Sequence, residues 1–208
     1  RRLGRKTWYV QAGAHATHFA VISATLDTET SRVIDIQSEL VEAHQNVAVD
    51  AAAHDAVAPC LKRVEIQSRR PVATIAATVS ANGLPGVNCG TSELLCRAIA
   101  EATATDIVLH GRLSDSSLTK GTVREKDLFN IVPYENTIGV AHVTALELSD
   151  IIQEQYANRR SYVYNGLWGT KAVISSDGSV TLPERPVLDK NGRIAVALNS
   201  YAIAGGGG

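Results

Sequence analysis

A mixed fold of α-helices and β-strands, with a sheet that cannot be wholly parallel, is what the 208 residues predict. Three observations carry this. The chain opens with strand-forming runs, passes into an alanine-rich helical stretch, and then alternates strand, helix and strand around the apolar segment TDIVLHG. After a capped helix near Thr144 it ends in short strands separated by turn residues, an arrangement that needs antiparallel partners.

In the opening segment, residues 7–12 (TWYVQA), 19–26 (FAVISATL) and 32–40 (RVIDIQSEL) are rich in β-branched and aromatic residues, with GAHATH as the first turn. This strand-rich unit is expected to close near Glu42. From 47 to 68, alanines dominate and Val57, Leu61 and Val64 recur at helical spacing. Pro59 lies inside that stretch and is expected to kink or break it, because proline has no backbone N–H to donate. The predicted organisation is therefore residues 1–46 as one unit, 47–68 as a connecting helix, and 69–208 as a second unit.

The second unit begins with a strand over 70–80 (RPVATIAATVS) and a Gly/Pro/Asn loop, ANGLPGVNCG. The helix that follows, TSELLCRAIAEAT, places Leu94, Leu95, Ala98, Ile99 and Ala102 on one stripe. TDIVLHG is apolar on both faces, as expected of a central strand covered by helices. The stretch DLFNIVPYENTIGVAHVTALELSDIIQEQ reads as a short helix, a Pro-Tyr turn, an alternating strand and a second helix. Thr144 and Glu147 form a capping box at that helix, each side chain pairing with the other's amide, and Leu148, Ile151, Ile152 and Tyr156 line its apolar face. SYVYNGLWGTKAVIS, GSVTL and RIAVALNSYAIA follow as strands, with turns at 176–178 (SDG) and 190–192 (KNG).

Bulk properties limit function. With 20 Lys and Arg against 21 Asp and Glu, the net charge of −1 gives no basic surface for nucleic acid. The apolar runs are too short to span a bilayer, and the N-terminal residues turn polar too soon for a secretory signal. Three cysteines, 60, 89 and 96, argue against a disulfide framework while leaving one bridge open. The absence of methionine and the AIAGGGG ending lead us to expect a piece of a larger polypeptide.

Candidate sites have competing readings. His15 and His18 on a turn lack a third ligand nearby, which favours a structural role over a metal. Cys89 and Cys96 have no zinc spacing, and Cys96 reads as a small core residue. Trp168 reads as a core or edge residue. Glycines 205–208 are either an anion-binding nest of amides or a flexible end. Tyr134, on a turn, either plugs the end of a sheet or presents a flat face to a ligand. No P-loop, nucleophile elbow or zinc motif is present, so no catalytic residue is expected in this chain.

Three segments in order, TSELLCRAIAEATATDIVLHG, GTVREKDLFNIVPYENTIGVAHVTALELSDIIQ and ALNSYAIAGGGG, resemble the C-terminal domain of the 5′-nucleotidase family of two-domain metallophosphoesterases. YVQAGAHATHFAVISATL, residues 9–26, resembles the closing strands of that family's N-terminal metallophosphatase domain. The resemblance implies a four-layer-type mixed α/β C-terminal domain preceded by a strand-rich remnant and a connecting helix. It implies a pair of divalent metals in an N-terminal domain upstream of this chain, no metal here, and an extracytoplasmic location. Partners would be that N-terminal domain and a small-molecule phosphate ester or nucleotide.

For the site, the resemblance implies that Tyr134 and Tyr201 sandwich a nucleobase and that Asn136 bonds its edge, with His110, Arg112, Gly205 and Gly206 as further substrate contacts. Two flat faces hold a π-system by offset stacking, each worth about 0.5–1.5 kcal/mol beyond area burial. The chain departs from the family pattern at three places. GVNCGTSE lacks the arginine the family carries ahead of this helix, His110 stands for an asparagine, and Gly207 stands for an aspartate. A weaker grip on phosphate follows, because arginine holds phosphate bidentately. The alternatives are a phosphatase for a sugar phosphate or other ester, and a binding module without activity.

Overall fold

The computed structural model describes every residue except 1, 4–6, 14–15, 45–47, 161–163, 185 and 206–208, and describes residues 2 and 3 as backbone only. It divides into two compact units, Arg1–Leu61 and Lys62–Gly208. In the first, β1 (Arg2–Leu3) pairs antiparallel with β2 (Thr7–Trp8), and β3 (His18–Asp27) forms a long hairpin with β4 (Arg32–Glu42). Asp27 turns that hairpin by accepting from the amides of Glu29 and Thr30. The strand expected over 7–12 is cut to its first two residues.

Helix α1 (Ala51–Ser68) crosses the division between the units and runs through Pro59 without a break. The proline removes one ladder hydrogen bond, but the alanine-rich sequence on its N-terminal side supplies the strongest helix formers, and the helix continues. Val57, Leu61 and Val64 are exposed, and no residue of α1 is buried.

The second unit is built on a four-stranded sheet. Its elements in chain order are β5 (Pro71–Ile75), α2 (Gly90–Thr103), β6 (Ile107–His110), β7 (Gly121–Arg124), α3 (Glu125–Ile131), β8 (Ile138–Val143), α4 (Ala145–Ala157), β9 (Gly166–Trp168), β10 (Val173–Ile174), β11 (Val180–Thr181), β12 (Ile194–Asn199) and α5 (Ser200–Ile203). The strand order of the main sheet is β8-β12-β6-β9. β12 runs parallel to β6 and antiparallel to β8, and β6 runs antiparallel to β9. The sheet is mixed, as the sequence predicts. β5 pairs with β7, and β10 with β11, in separate antiparallel pairs.

The two-residue period of strands explains the layering. Ile107 and Leu109 of β6 point with Ile194 and Val196 of β12 into a cluster completed by Leu148 and Ile152 of α4. Val108 and Ala197, on the opposite face, pack with Cys96 and Ile99 of α2. All four residues of β6 are buried, which is why its sequence shows no polar alternation. A third cluster, Leu118, Val123 and Ile131, anchors α3 against β7.

Two helical faces differ from expectation. α2 buries Thr91, Ser92, Cys96 and Ile99, whereas Leu94 is exposed. Small polar residues let the helix lie close to β6, and the Ser92 hydroxyl donates to the His110 carbonyl at 3.2 Å, satisfying it. On α4, Leu148 and Ile152 are buried, but Tyr156 is exposed on one side and carries the Arg159 guanidinium 4.0 Å from its ring centroid. The capping box is as expected: the Glu147 amide donates to Thr144 Oγ1 at 3.2 Å and the Thr144 amide to Glu147 Oε2 at 2.7 Å.

Candidate functional site

The sheet gathers its loops at one edge. Because β6 and β12 are parallel, their C-terminal ends emerge together, and because β8 and β9 are antiparallel to them, their N-terminal ends arrive at the same place. Asn199 is opposite Ile138, and His110 is opposite Gly166. The segments after β6, before β8, before β9 and after β12 therefore converge, and they line a cavity of about 380 Å³. Ligands in open α/β sheets are bound beyond strand ends for this reason.

Tyr134 and Asn136 reach this cavity from the α3–β8 loop, Tyr201 and Ala202 from α5, Asn199 from the end of β12, and Gly111, Arg112 and Leu113 from the loop after β6. Tyr164 and Asn165, ahead of β9, complete it. Tyr134 is 61 % exposed and Tyr201 57 % exposed, so neither ring is a plug in the core. Of the residues expected to contact substrate, the structure brings Tyr134, Asn136, Tyr201 and Arg112 together. His110 is buried and not among the residues that line the cavity, Gly205 is exposed and not among them either, and Gly206 lies outside the described residues. His15 also lies outside them.

Tyr201 sits in a short helix, not at the end of a strand as expected. The Asn199 side chain accepts from the Ala202 amide at 2.8 Å and so caps α5, a role asparagine fills well. That contact assigns Asn199 Oδ1 as an acceptor, leaving its Nδ2 to donate to His110 Nε2 at 3.4 Å. The other imidazole nitrogen, Nδ1, faces the Gly111 carbonyl, which can only accept, so Nδ1 carries the proton and Nε2 the lone pair. Burial holds the His110 pKa below its ordinary value of 6.5, with the Gly111 hydrogen bond opposing in part, so the neutral ring is the form present. His110 thus orients Asn199, which caps the turn that presents Tyr201.

Close backbone approach fixes the other walls. The Gly111 amide donates to Asn165 Oδ1 at 2.9 Å, and the Asn165 amide donates to Gln155 Oε1 of α4 at 3.0 Å. At Gly166 a Cβ would lie 2.2 Å from the Pro85 carbonyl oxygen, and at Gly139 one would lie 2.6 Å from the Ile203 side chain. Glycine at these two positions lets the 83–86 loop and α5 seat against the sheet. Arg112 Nη1 donates to the Ala81 carbonyl at 3.0 Å, and its Nε pairs with Asp115 at 3.3 Å. Burial raises the Tyr164 pKa, so its phenol stays protonated.

Tyr164, Asn165 and Asn199 line the cavity, although the sequence pattern does not single them out. The Asn-Gly pair at 165–166 is a turn signal that places an asparagine at the mouth of a strand, and it is the available clue. Among the described residues no group of three or more His, Cys, Asp or Glu is placed to hold a metal ion. The three cysteines are free thiols, and burial pushes that of Cys96 up to about 12, which makes it an inert packing residue.

A mixed sheet with helices on both faces and an aromatic-lined cavity at its loop edge defines a mixed α/β domain with a concave site beyond its strand ends. Residues 71–208 match the model of the 5′-nucleotidase C-terminal domain, and the chain belongs to that family. No curated protein matches the chain at significance. Among solved structures, a Staphylococcus aureus chain assigned as a 5′-nucleotidase and bound to α-ketoglutarate is 17 % identical. It aligns over 92 % of this chain and 42 % of its own, with a TM-score of 0.67. A 5′-nucleotidase precursor from Thermus thermophilus is 13 % identical over 91 % of this chain and 41 % of its own, with a TM-score of 0.53. A sulfate thiohydrolase, SoxB, also from Thermus thermophilus and in complex with glycerol, is 12 % identical over 88 % of this chain and 36 % of its own, at 0.50. At these identities the likeness is one of fold, and the chain spans about two fifths of the length of each.

Proposed function

We propose that this chain is the substrate-recognition part of a 5′-nucleotidase-like phosphoesterase and that its cavity binds the nucleoside portion of a nucleotide. The observation that carries this is the convergence of Tyr134, Asn136 and Tyr201 on one cavity, from segments more than sixty residues apart in the chain. Two aromatic faces supply stacking, which every nucleobase accepts, and the Asn136 amide offers one donor group and one acceptor to a base edge. Tyr164 and Asn165 add further polar groups to its lining. The chain's role is to bind and orient. In this reading the paired divalent metals belong to an N-terminal metallophosphatase domain, where such a pair activates water for attack on phosphorus.

A second reading, an ester of a sugar or other non-nucleotide alcohol, draws on Arg112, which is already engaged by Ala81 and Asp115 within the chain. Fluorescence titration separates the two. The nucleotide reading expects nucleosides to bind with saturable quenching of tyrosine emission that Tyr134→Ala and Tyr201→Ala abolish, and sugar phosphates to bind more weakly. Sugar phosphates that bind well while nucleosides do not would replace it with the second reading.

A further inference from the structure

A second cavity, of about 460 Å³, shares Arg112 and Tyr164 with the first. Its remaining walls are the loop Gly83–Leu84–Pro85 and the pair Arg159 and Arg160, which follow the C-cap Asn158 of α4. Of the described residues on its walls, three are arginines and none is a carboxylate. Asp115, which pairs with Arg112 Nε at 3.3 Å, is outside the lining. Positive charge gathered in a concave site raises the local concentration of anions, and guanidinium groups match the planar oxygens of phosphate and carboxylate.

The pieces of this second cavity are fixed by bonds of their own. The Leu84 amide donates to Asn88 Oδ1 at 2.7 Å, which folds the 83–85 loop back on itself, and Arg112 ties to the Ala81 carbonyl behind it. Arg159 is stacked on the Tyr156 ring, and its Nη1 donates to the Tyr156 carbonyl at 2.8 Å, so its guanidinium is held at the end of α4. The Asn165–Gln155 bond attaches the Tyr164 segment to the same helix end. A ligand lying across the shared wall of Arg112 and Tyr164 would have one part against the tyrosines and another against the arginines.

We propose that Arg159 and Arg160, with Arg112, form an anion subsite for a phosphate or carboxylate group carried by the ligand whose ring occupies the adjoining cavity. This rests on the ring-binding reading for its geometry, and the arginine pair at the end of α4 supplies the charge that GVNCGTSE does not.

The test is calorimetric titration of the 208-residue chain with a nucleoside, its 5′-monophosphate and inorganic phosphate, for the wild type, Arg159→Ala/Arg160→Ala and Tyr134→Ala. The subsite predicts that the monophosphate binds about tenfold or more tightly than the nucleoside at low salt, with the gap narrowing as salt screens it. The double arginine variant should lose that gap and keep its nucleoside affinity. Equal affinity of the wild type for nucleoside and monophosphate would overturn the subsite, and so would a double variant that keeps the preference. The Tyr134→Ala variant separates the two claims. Unchanged nucleoside affinity there sinks the ring-binding reading, while inorganic phosphate binding that depends on Arg159 and Arg160 would still support the anion subsite.

Discussion

His110 offers a direct check on how the site is built, because it touches no ligand position and yet supports one. Its imidazole is 2 % exposed, donates through Nδ1 to the Gly111 carbonyl and accepts at Nε2 from Asn199. Replacing it with alanine leaves the Asn199 amide donor buried without a partner, which costs about 1–3 kcal/mol, and removes ring packing worth about 1–2 kcal/mol. A total of about 2–5 kcal/mol corresponds to a fall in Tm of about 5–15 °C for a chain of this size.

The pH dependence sharpens the test. Since burial lowers the folded-state pKa of His110, the unfolded chain binds the proton more readily, and stability rises with pH across the window. The contribution is complete above the ordinary value of 6.5 and is lost progressively as pH falls from there through the folded pKa. Backbone hydrogen bonds hold Asp27, Asp177 and Asp189 below 3.8 and Glu147 below 4.5, so their contributions are lost only at lower pH. Thermal melts followed by circular dichroism between about pH 5 and 7, compared between the wild type and His110→Ala, therefore report the contribution of this histidine. The slope of Tm against pH should flatten in His110→Ala. A variant that melts within 1–2 °C of the wild type, on the scale of roughly 2–4 °C per kcal/mol, with an unchanged slope, would refute the buried neutral ring.

Other variants probe neighbouring links. Asn199→Ala removes the α5 cap and should cost about 0.5–2 kcal/mol, and because α5 carries Tyr201 it should also weaken nucleoside binding in the same titration. Thr144→Ala opens the capping box of α4 and should cost about 1 kcal/mol in chemical denaturation, with no effect on ligand affinity. Leu148→Ala, in a fully buried position between α4 and the sheet, should cost about 2–5 kcal/mol and is a stability control for both.

The elements legible in the sequence are those whose pattern reflects a single dominant force. TDIVLHG is apolar on both faces because α2 and α4 cover it on either side, and Thr144 with Glu147 is a local signal that tertiary packing leaves intact. Tyr134 and Asn136 stand out only through the family's Pro-aromatic-x-Asn segment, since a Pro-Tyr turn by itself suits a sheet plug as well as a ligand face. The buried face of α2 departs from its apolar stripe in part because the Ser92 hydroxyl, which looks exposed by composition, satisfies the His110 carbonyl of β6. Tyr201 reads as strand because the run through Asn199 is largely apolar, and the cap that turns the chain is one side-chain hydrogen bond. Arg159, Arg160, Tyr164 and Asn165 reach their cavities through the way α4 ends against the segment before β9, a long-range arrangement that no local spacing encodes.

The central claim is that Tyr134 and Tyr201 hold a nucleobase between them. A crystal structure of the chain with a bound nucleoside tests it most directly. The account predicts the base between two roughly parallel rings about 7 Å apart, each at the usual contact distance of about 3.5 Å, with Asn136 within hydrogen-bond reach of the base edge. A nucleoside bound elsewhere, or held in this cavity with its base against neither tyrosine, would contradict it.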